Sequence, residues 1–230
     1  MADAASRLQA TEPDLPAGSA RPGARRVLEA ALGLFARHGF SGTSIRDIAA
    51  EAGLASAALY AHFESKDHVL AELVRIGHEE HHGRLRRAAL GTAGDPEQQL
   101  RGVVGAHARF HAEYPVLATV CNNELHALPP ALAAPALALR AQSEQLLQEI
   151  VELGIERGVF DPPHTWMTVA AIGGMGIRVA AWFAADLEIG IDEVADTYGE
   201  LAVRMARADN TARADSTARA ATGASEGAPT

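Results

Sequence analysis

The sequence holds one cysteine, Cys121, in 230 residues. A lone thiol excludes an intrachain disulfide framework and fits a reducing compartment. Lysine is as scarce: Lys66 stands alone, so every other fixed cation is an arginine. Aromatic residues make up 5 % against 48 % hydrophobic ones, so the core must be built from Ala, Leu, Val and Ile. Nowhere does a β-branched alternating run lie between turn residues, which argues against a sheet. The first 23 residues have no apolar centre, unlike a secretory signal. The most apolar stretch, TVAAIGGMGI, stops at Arg178, well short of the ~20 residues that a membrane span needs. These absences leave an all-helical, cytoplasmic protein with no membrane partner.

What is present is Ala-rich helical sequence with an uneven charge. Residues 21–75 carry seven cations against six acids, a net +1, which leaves −10 for the rest of a chain whose net charge is −9. An acidic body with a near-neutral N-terminal unit is unlike a non-specific nucleic-acid binder. It permits a specific one, provided its few cations sit where phosphates will be.

Four segments are expected: an arm over 1–22 without fixed structure, a helix-turn-helix unit over 23–68, a larger helical unit over 69–207, and a low-complexity, unstructured tail over 208–230. In the first helix Val27, Ala30, Ala31, Leu34 and Phe35 form one apolar stripe, and Gly39 ends it. Thr43 or Ser44 caps the second helix, which buries Ile45, Ile48, Ala49 and Ala52. Gly53 closes that helix, and a third, about 56–63, buries Leu59 and Phe63. Ser65 caps a fourth running towards Ala89. Further helices are expected over about 96–114, 116–127, 135–157, 164–185 and 191–207, with breaks at Pro115, at Pro129-Pro130 and after Gly158.

The stretch TSIRDIAAEAGLASAALYAHFESKDHV, residues 43–69, carries the functional signal. Two helices that cross closely need a small residue at the crossing, a turn residue free to take positive φ, and apolar anchors on either side. Ala49, Gly53 and Leu59 meet these demands in order, with Ile48 and Leu54 as further anchors. On spacing alone, an ordinary helical hairpin that never meets DNA satisfies the same pattern.

The longer run RRVLEAALGLFARHGFSGTSIRDIAAEAGLASAALYAHFESKDHVLAELV resembles the tetracycline-repressor (TetR) family. The resemblance implies an all-helical homodimer with an N-terminal three-helix DNA-binding domain and a larger domain that binds a ligand and dimerises. It implies a regulator, not an enzyme: a repressor on a palindromic double-stranded DNA operator, without a cofactor, released by a small-molecule effector. Thr43 and Arg46 would touch phosphate or a base edge. Ser56 and Ala57 would start the recognition helix, Ala57 against a thymine methyl. Tyr60 and His62 would approach phosphate, Lys66 would meet it at the N-terminus of the fourth helix, and Arg25 with Arg26 would supplement them. Many relatives have a lysine in place of Ser56 and a serine in place of Ala55, so the operator sequence does not carry over.

For the larger domain the family resemblance implies a cavity among Phe110, Tyr114, Leu117, Cys121, Leu125, Leu146, Ile150, Met175, Arg178 and Trp182, each of which also reads as plain core. Gly173, Gly174 and Gly176 are unfavourable in mid-helix by ~1 kcal/mol each, which the close approach of a partner helix in a dimer would offset. The runs EYPVLATVCNNELHALPP and LGIERGVFDP resemble relatives that control lipid and acyl-chain catabolism, which implies a hydrophobic or acyl-CoA-type effector. A rival pattern remains: HEEHH places His78, Glu79 and His82 at the spacing of a zinc hydrolase, and His107 and His111 repeat the i, i+4 interval. A metal-responsive regulator or a hydrolase are the alternatives. The plainer expectation is histidines that line the pocket or face solvent, with no metal bound.

Overall fold

A computed structural model describes residues 12–184 and 187–207. The tail expected over 208–230 and the first eleven residues lie outside them. All regular structure among the described residues is helical: α1 (Pro22–His38), α2 (Ile45–Glu51), α3 (Ser56–Tyr60), α4 (Lys66–Gly91), α5 (Pro96–Glu113), α6 (Pro115–Glu124) with a 3-10 turn over Leu125–Ala127, α7 (Pro130–Glu156), α8 (Thr165–Ile177), α9 (Val179–Trp182) and α10 (Ile191–Ala206). Proline opens α1, α5, α6 and α7; its missing N–H costs nothing in a first turn, where that donor has no helical partner. No helix among the described residues is long and apolar enough to cross a membrane.

Three boundaries differ from those expected, each for a local reason. The third helix is only Ser56–Tyr60, because Ala55 offers no side-chain cap and Leu59 alone anchors it. α7 starts at Pro130 rather than Pro135 and carries Pro135 inside. The stretch expected as one helix over 164–185 breaks at Arg178, just past three glycines that weaken its own helical preference. The arm also differs over its described part: Leu15 is buried in the N-terminal core. Arg25 fastens it, donating to the carbonyls of Leu15 at 2.8 Å and Pro16 at 3.1 Å.

One core joins Val27, Leu28, Leu32 and Phe35 of α1 to Ile48 and Ala49 of α2, Leu59 of α3 and the first half of α4. It continues into Val116, Leu117 and Val120 of α6 and Ala133 and Ala136 of α7. The division drawn at residues 68 and 69 therefore crosses continuous packing. A second core lies among α4, α5, α7, α8 and α10, around Leu100, Val104, Val151, Ile172 and Val203. Arg84 ties α4 to α5 through Glu113 at 2.5 Å, and Arg109 ties α5 to α10 through Asp192.

Candidate nucleic-acid interface and ligand cavity

The second helix begins with a reciprocal cap. Ser44 Oγ accepts from the Asp47 amide at 3.2 Å, and the Asp47 carboxylate accepts from the Ser44 amide at 2.8 Å. Hydrogen bonding with Ser44, through its side chain first and its amide second, holds the Asp47 carboxyl below the usual carboxylate range. The helix ends at Gly53, whose φ of +65° is open to glycine at no steric cost. There the Leu54 amide returns to the Ala49 carbonyl at 2.9 Å, and Arg26 donates to the Ala52 carbonyl at 2.7 Å. Leu59, fully buried, seats α3 on this turn. Ala57 and Tyr60 are left facing outward, with Ser56 half-buried beside them. Arg46 is exposed and has no protein partner among the described residues. His62 stands against the first turn of α1, where a Cβ on Gly23 would lie 2.9 Å from its ring. No side chain caps that turn, so free N–H groups and an imidazole share one spot.

Three of the expected DNA contacts have partners inside the protein. Thr43 is buried and its hydroxyl donates to the Gly39 carbonyl at 2.9 Å; the helix-capping hydroxyl is that of Ser44. Lys66 sends its ammonium to the carbonyls of Phe40 at 2.6 Å and Thr43 at 2.7 Å, over the Phe40 ring. It binds the loop before α2 through two of its three N–H donors. Arg25 is taken up by the arm and by Glu29 at 2.6 Å.

A cavity of about 470 Å³ lies among α4, α5, α6, α7 and α8. Its wall is mainly apolar, with Leu85, Val103, Phe110, Ala118, Leu147 and Ile172, and Arg140, Glu144 and Gln148 add polar groups. Of the expected pocket residues, Phe110 and Cys121 line it. Leu117 instead fills the N-terminal core, and Leu125 joins it there. Tyr114 packs against that same core. Leu146, Ile150 and Met175 belong to the second core. Arg178 is exposed at the helix break, and Trp182 stacks on Tyr198. Gly173 and Gly174 line the cavity, whereas a Cβ on Gly176 would overlap the His107 ring. The tight approach at Gly176 is thus made within one chain.

Histidines line the cavity too, the plainer of the outcomes expected for them, and His81 is the one not singled out from the sequence. His78, His81, His107 and His111 all line the cavity. His107 Nε2 donates to the Gly173 carbonyl at 3.0 Å, which leaves its Nδ1 as acceptor for His81 Nε2 at 2.7 Å. His111 Nδ1 donates to the His107 carbonyl at 2.9 Å. Burial, reinforced by the neighbouring imidazoles, pushes His111 down to about 3 and His81 well below its ordinary value. Burial also lowers His78 to about 4, and its Nε2 is buried without a partner. The zinc-hydrolase arrangement does not form. Glu79 pairs outward with Arg75, and His82 Nδ1 turns to Ser143 Oγ at 3.0 Å. One helical position separates His81 from His82, and 100° of rotation sends them to different neighbours.

Comparison with known proteins agrees with this geometry. Residues 27–73 match the family model described as bacterial regulatory proteins, tetR family. Residues 93–206 match the tetracyclin repressor-like C-terminal domain. The transcriptional repressor KstR2 of Mycobacterium tuberculosis is 29 % identical over 150 residues, 65 % of this chain and 74 % of its own. The TetR family regulator PfmR of Thermus thermophilus is 32 % identical with a TM-score of 0.70, over 78 % of this chain and 97 % of its own. AibR, solved with isovaleryl coenzyme A and operator DNA, is 20 % identical with a TM-score of 0.69, over 78 % and 97 % of the two chains. That last likeness is one of fold alone.

Proposed function

Because the chain belongs to the tetracycline-repressor family of bacterial transcriptional regulators, we propose that it represses transcription as a homodimer on a near-palindromic operator. A hydrophobic or acyl-CoA-type effector in the cavity releases it. The observation that carries this reading is that two walls of the cavity are also parts of the helix-turn-helix core. α4 presents Gly77, His78 and His81 to the cavity, and its N-terminal Lys66 grips the loop before α2. α6 presents Ala118 and Cys121 to the cavity and packs Val116, Leu117 and Val120 beneath α1. An occupant that displaces either helix must shift the DNA-reading unit. Coupling of ~1–3 kcal/mol between the two sites would lower operator affinity about 5- to 150-fold.

On DNA, α3 enters the major groove with Ser56 and Ala57 at the base edges, and Arg46 reaches a guanine or a phosphate. Tyr60 and His62 hold phosphate beside the N-terminus of α1. Thr43, Lys66 and Arg25 keep the unit rigid. Exposed Trp166 and Met167 on α8, with Leu201 and Met205 on α10, form the apolar face that two copies bury, placing two recognition helices in successive grooves. The mostly apolar wall with a few polar groups suits an acyl chain, and the isovaleryl coenzyme A complex of AibR supports that choice.

The test is binding of the full chain to the DNA upstream of its own gene, with and without acyl-CoAs of graded chain length. Salt-sensitive binding to one palindrome is expected, weakened by Arg46→Ala about 5- to 150-fold if the arginine contacts a guanine bidentately. Absence of binding to every upstream fragment at low ionic strength would overturn the reading.

A further inference from the structure

We propose that His81, His107 and His111 bind a divalent metal ion of the zinc class in the wall of the ligand cavity. One nitrogen from each ring can be chosen so that all three lie within 4.8 Å of one another. In a tetrahedral zinc site with Zn–N bonds of ~2.0–2.1 Å, ligand nitrogens stand about 3.3 Å apart. The closest pair, His81 Nε2 and His107 Nδ1 at 2.7 Å, must open slightly and the wider separations must close by an ångström or so. Side-chain torsions supply movements of that size without shifting a helix.

The hydrogen bonds beyond the cluster favour the same outcome. Metal-bound imidazoles commonly donate their second N–H to a carbonyl, which sets the tautomer and aims the bare nitrogen at the ion. His107 does so to Gly173 and His111 to its own helix at His107. That leaves His107 Nδ1 and His111 Nε2 as lone-pair donors. His81 joins them by moving its proton from Nε2 to Nδ1. Burial keeps the rings neutral, the form that binds metal. A purely hydrogen-bonded triad accounts for the 2.7 Å contact but leaves the bare nitrogen of His111 unused. Imidazoles without thiolate suit zinc, cobalt, nickel or copper rather than calcium or magnesium. Three protein ligands leave a fourth position, and because all three rings line the cavity it opens towards whatever the cavity holds.

The site rests on the cavity and not on DNA recognition, so it is tested without DNA. Chelator-treated full-length protein is titrated with Co(II), followed by visible absorption, and then challenged with Zn(II). One tetrahedral-type Co(II) per chain, displaced by Zn(II), is expected. His81→Gln and His111→Gln should each weaken binding beyond the ~10- to 100-fold that second-sphere changes cost, while His126→Gln on the surface leaves it unchanged. Sub-stoichiometric uptake, or retention of the wild-type spectrum and affinity in folded His111→Gln protein, overturns the proposal. If the variants do not fold, zinc-edge X-ray absorption of the wild-type protein decides it: three imidazole ligands uphold the site and fewer than three overturn it. Loss of operator binding leaves each of these outcomes intact.

Discussion

At Gly77 the side chain is missing because α6 occupies its place: a Cβ there would overlap Cys121 Sγ. Gly77→Ala must push α4 off α6, at a cost of about 1–3 kcal/mol for overpacking a filled site. Chemical denaturation should show the loss without a change in helix content. The Cys121 thiol, pushed up to about 12 by burial, stays neutral at pH 8. Alkylation should therefore be slow in the folded chain and fast in denaturant, and a fast native reaction would contradict the packing. The buried imidazoles act on stability through pH. Their folded-state values lie below the ordinary 6.5, at about 4 for His78 and about 3 for His111, so the unfolded chain takes up protons first. Metal-free protein should lose stability as pH falls from about 6.5 towards 3, by up to about 1.4 kcal/mol per pH unit for each such group. It should gain nothing from these groups above pH 7.

At the scale of the element, α2 and α3 are too short to hold themselves in place. The capping box of Ser44 and Asp47, the glycine turn and the Lys66 clamp do so instead. Lys66→Met keeps the aliphatic stem but takes the donor from the Thr43 carbonyl and leaves the Phe40 carbonyl with only the Thr43 amide at 3.3 Å, at about 1–3 kcal/mol. Melting should fall by roughly 2–4 °C per kcal/mol in a chain of this size. A phosphate-only role for Lys66 predicts an unchanged melt and weaker DNA binding, so the two roles separate cleanly. The cap was legible to within one residue, Thr43 or Ser44, because a cap and its partner lie three residues apart. The clamp was not, because it joins Lys66 to carbonyls 23 and 26 residues earlier.

At the scale of the molecule, Trp166 is exposed, and it also borders the cavity. If α8 and α10 meet their counterparts in a second chain, Trp166→Asp buries an unpaired charge in that interface. Sedimentation should then show monomer where the wild type is dimer, and operator affinity should fall because half-site pairing is lost. A variant that stays dimeric would move the interface elsewhere. The same scale explains the pocket residues that were misplaced. Leu117 and Cys121 sit one turn apart on α6 and both pack into the N-terminal core, yet Cys121 also reaches the cavity wall and Leu117 does not. Hydrophobic periodicity marks both as buried and does not say against what.

The residues alone determined the helical class, the glycine-centred turn between α2 and α3, the exposed Ala57 and Tyr60, and the membership that the run from Arg25 to Val74 announces. The class and the turn depend on partners within a turn or two of helix, so composition and spacing suffice; the membership and the two exposed residues rest on resemblance to a known family. Only the tertiary structure decided that Thr43 is buried, that Arg25 and Lys66 hold backbone carbonyls far along the chain, that Gly176 receives His107, and that His81 rather than His82 joins His107 and His111. Those outcomes turn on the rotation of one long helix against another, where a single position moves a side chain by 100°. No local pattern encodes that rotation, because it is set by the packing of the whole bundle.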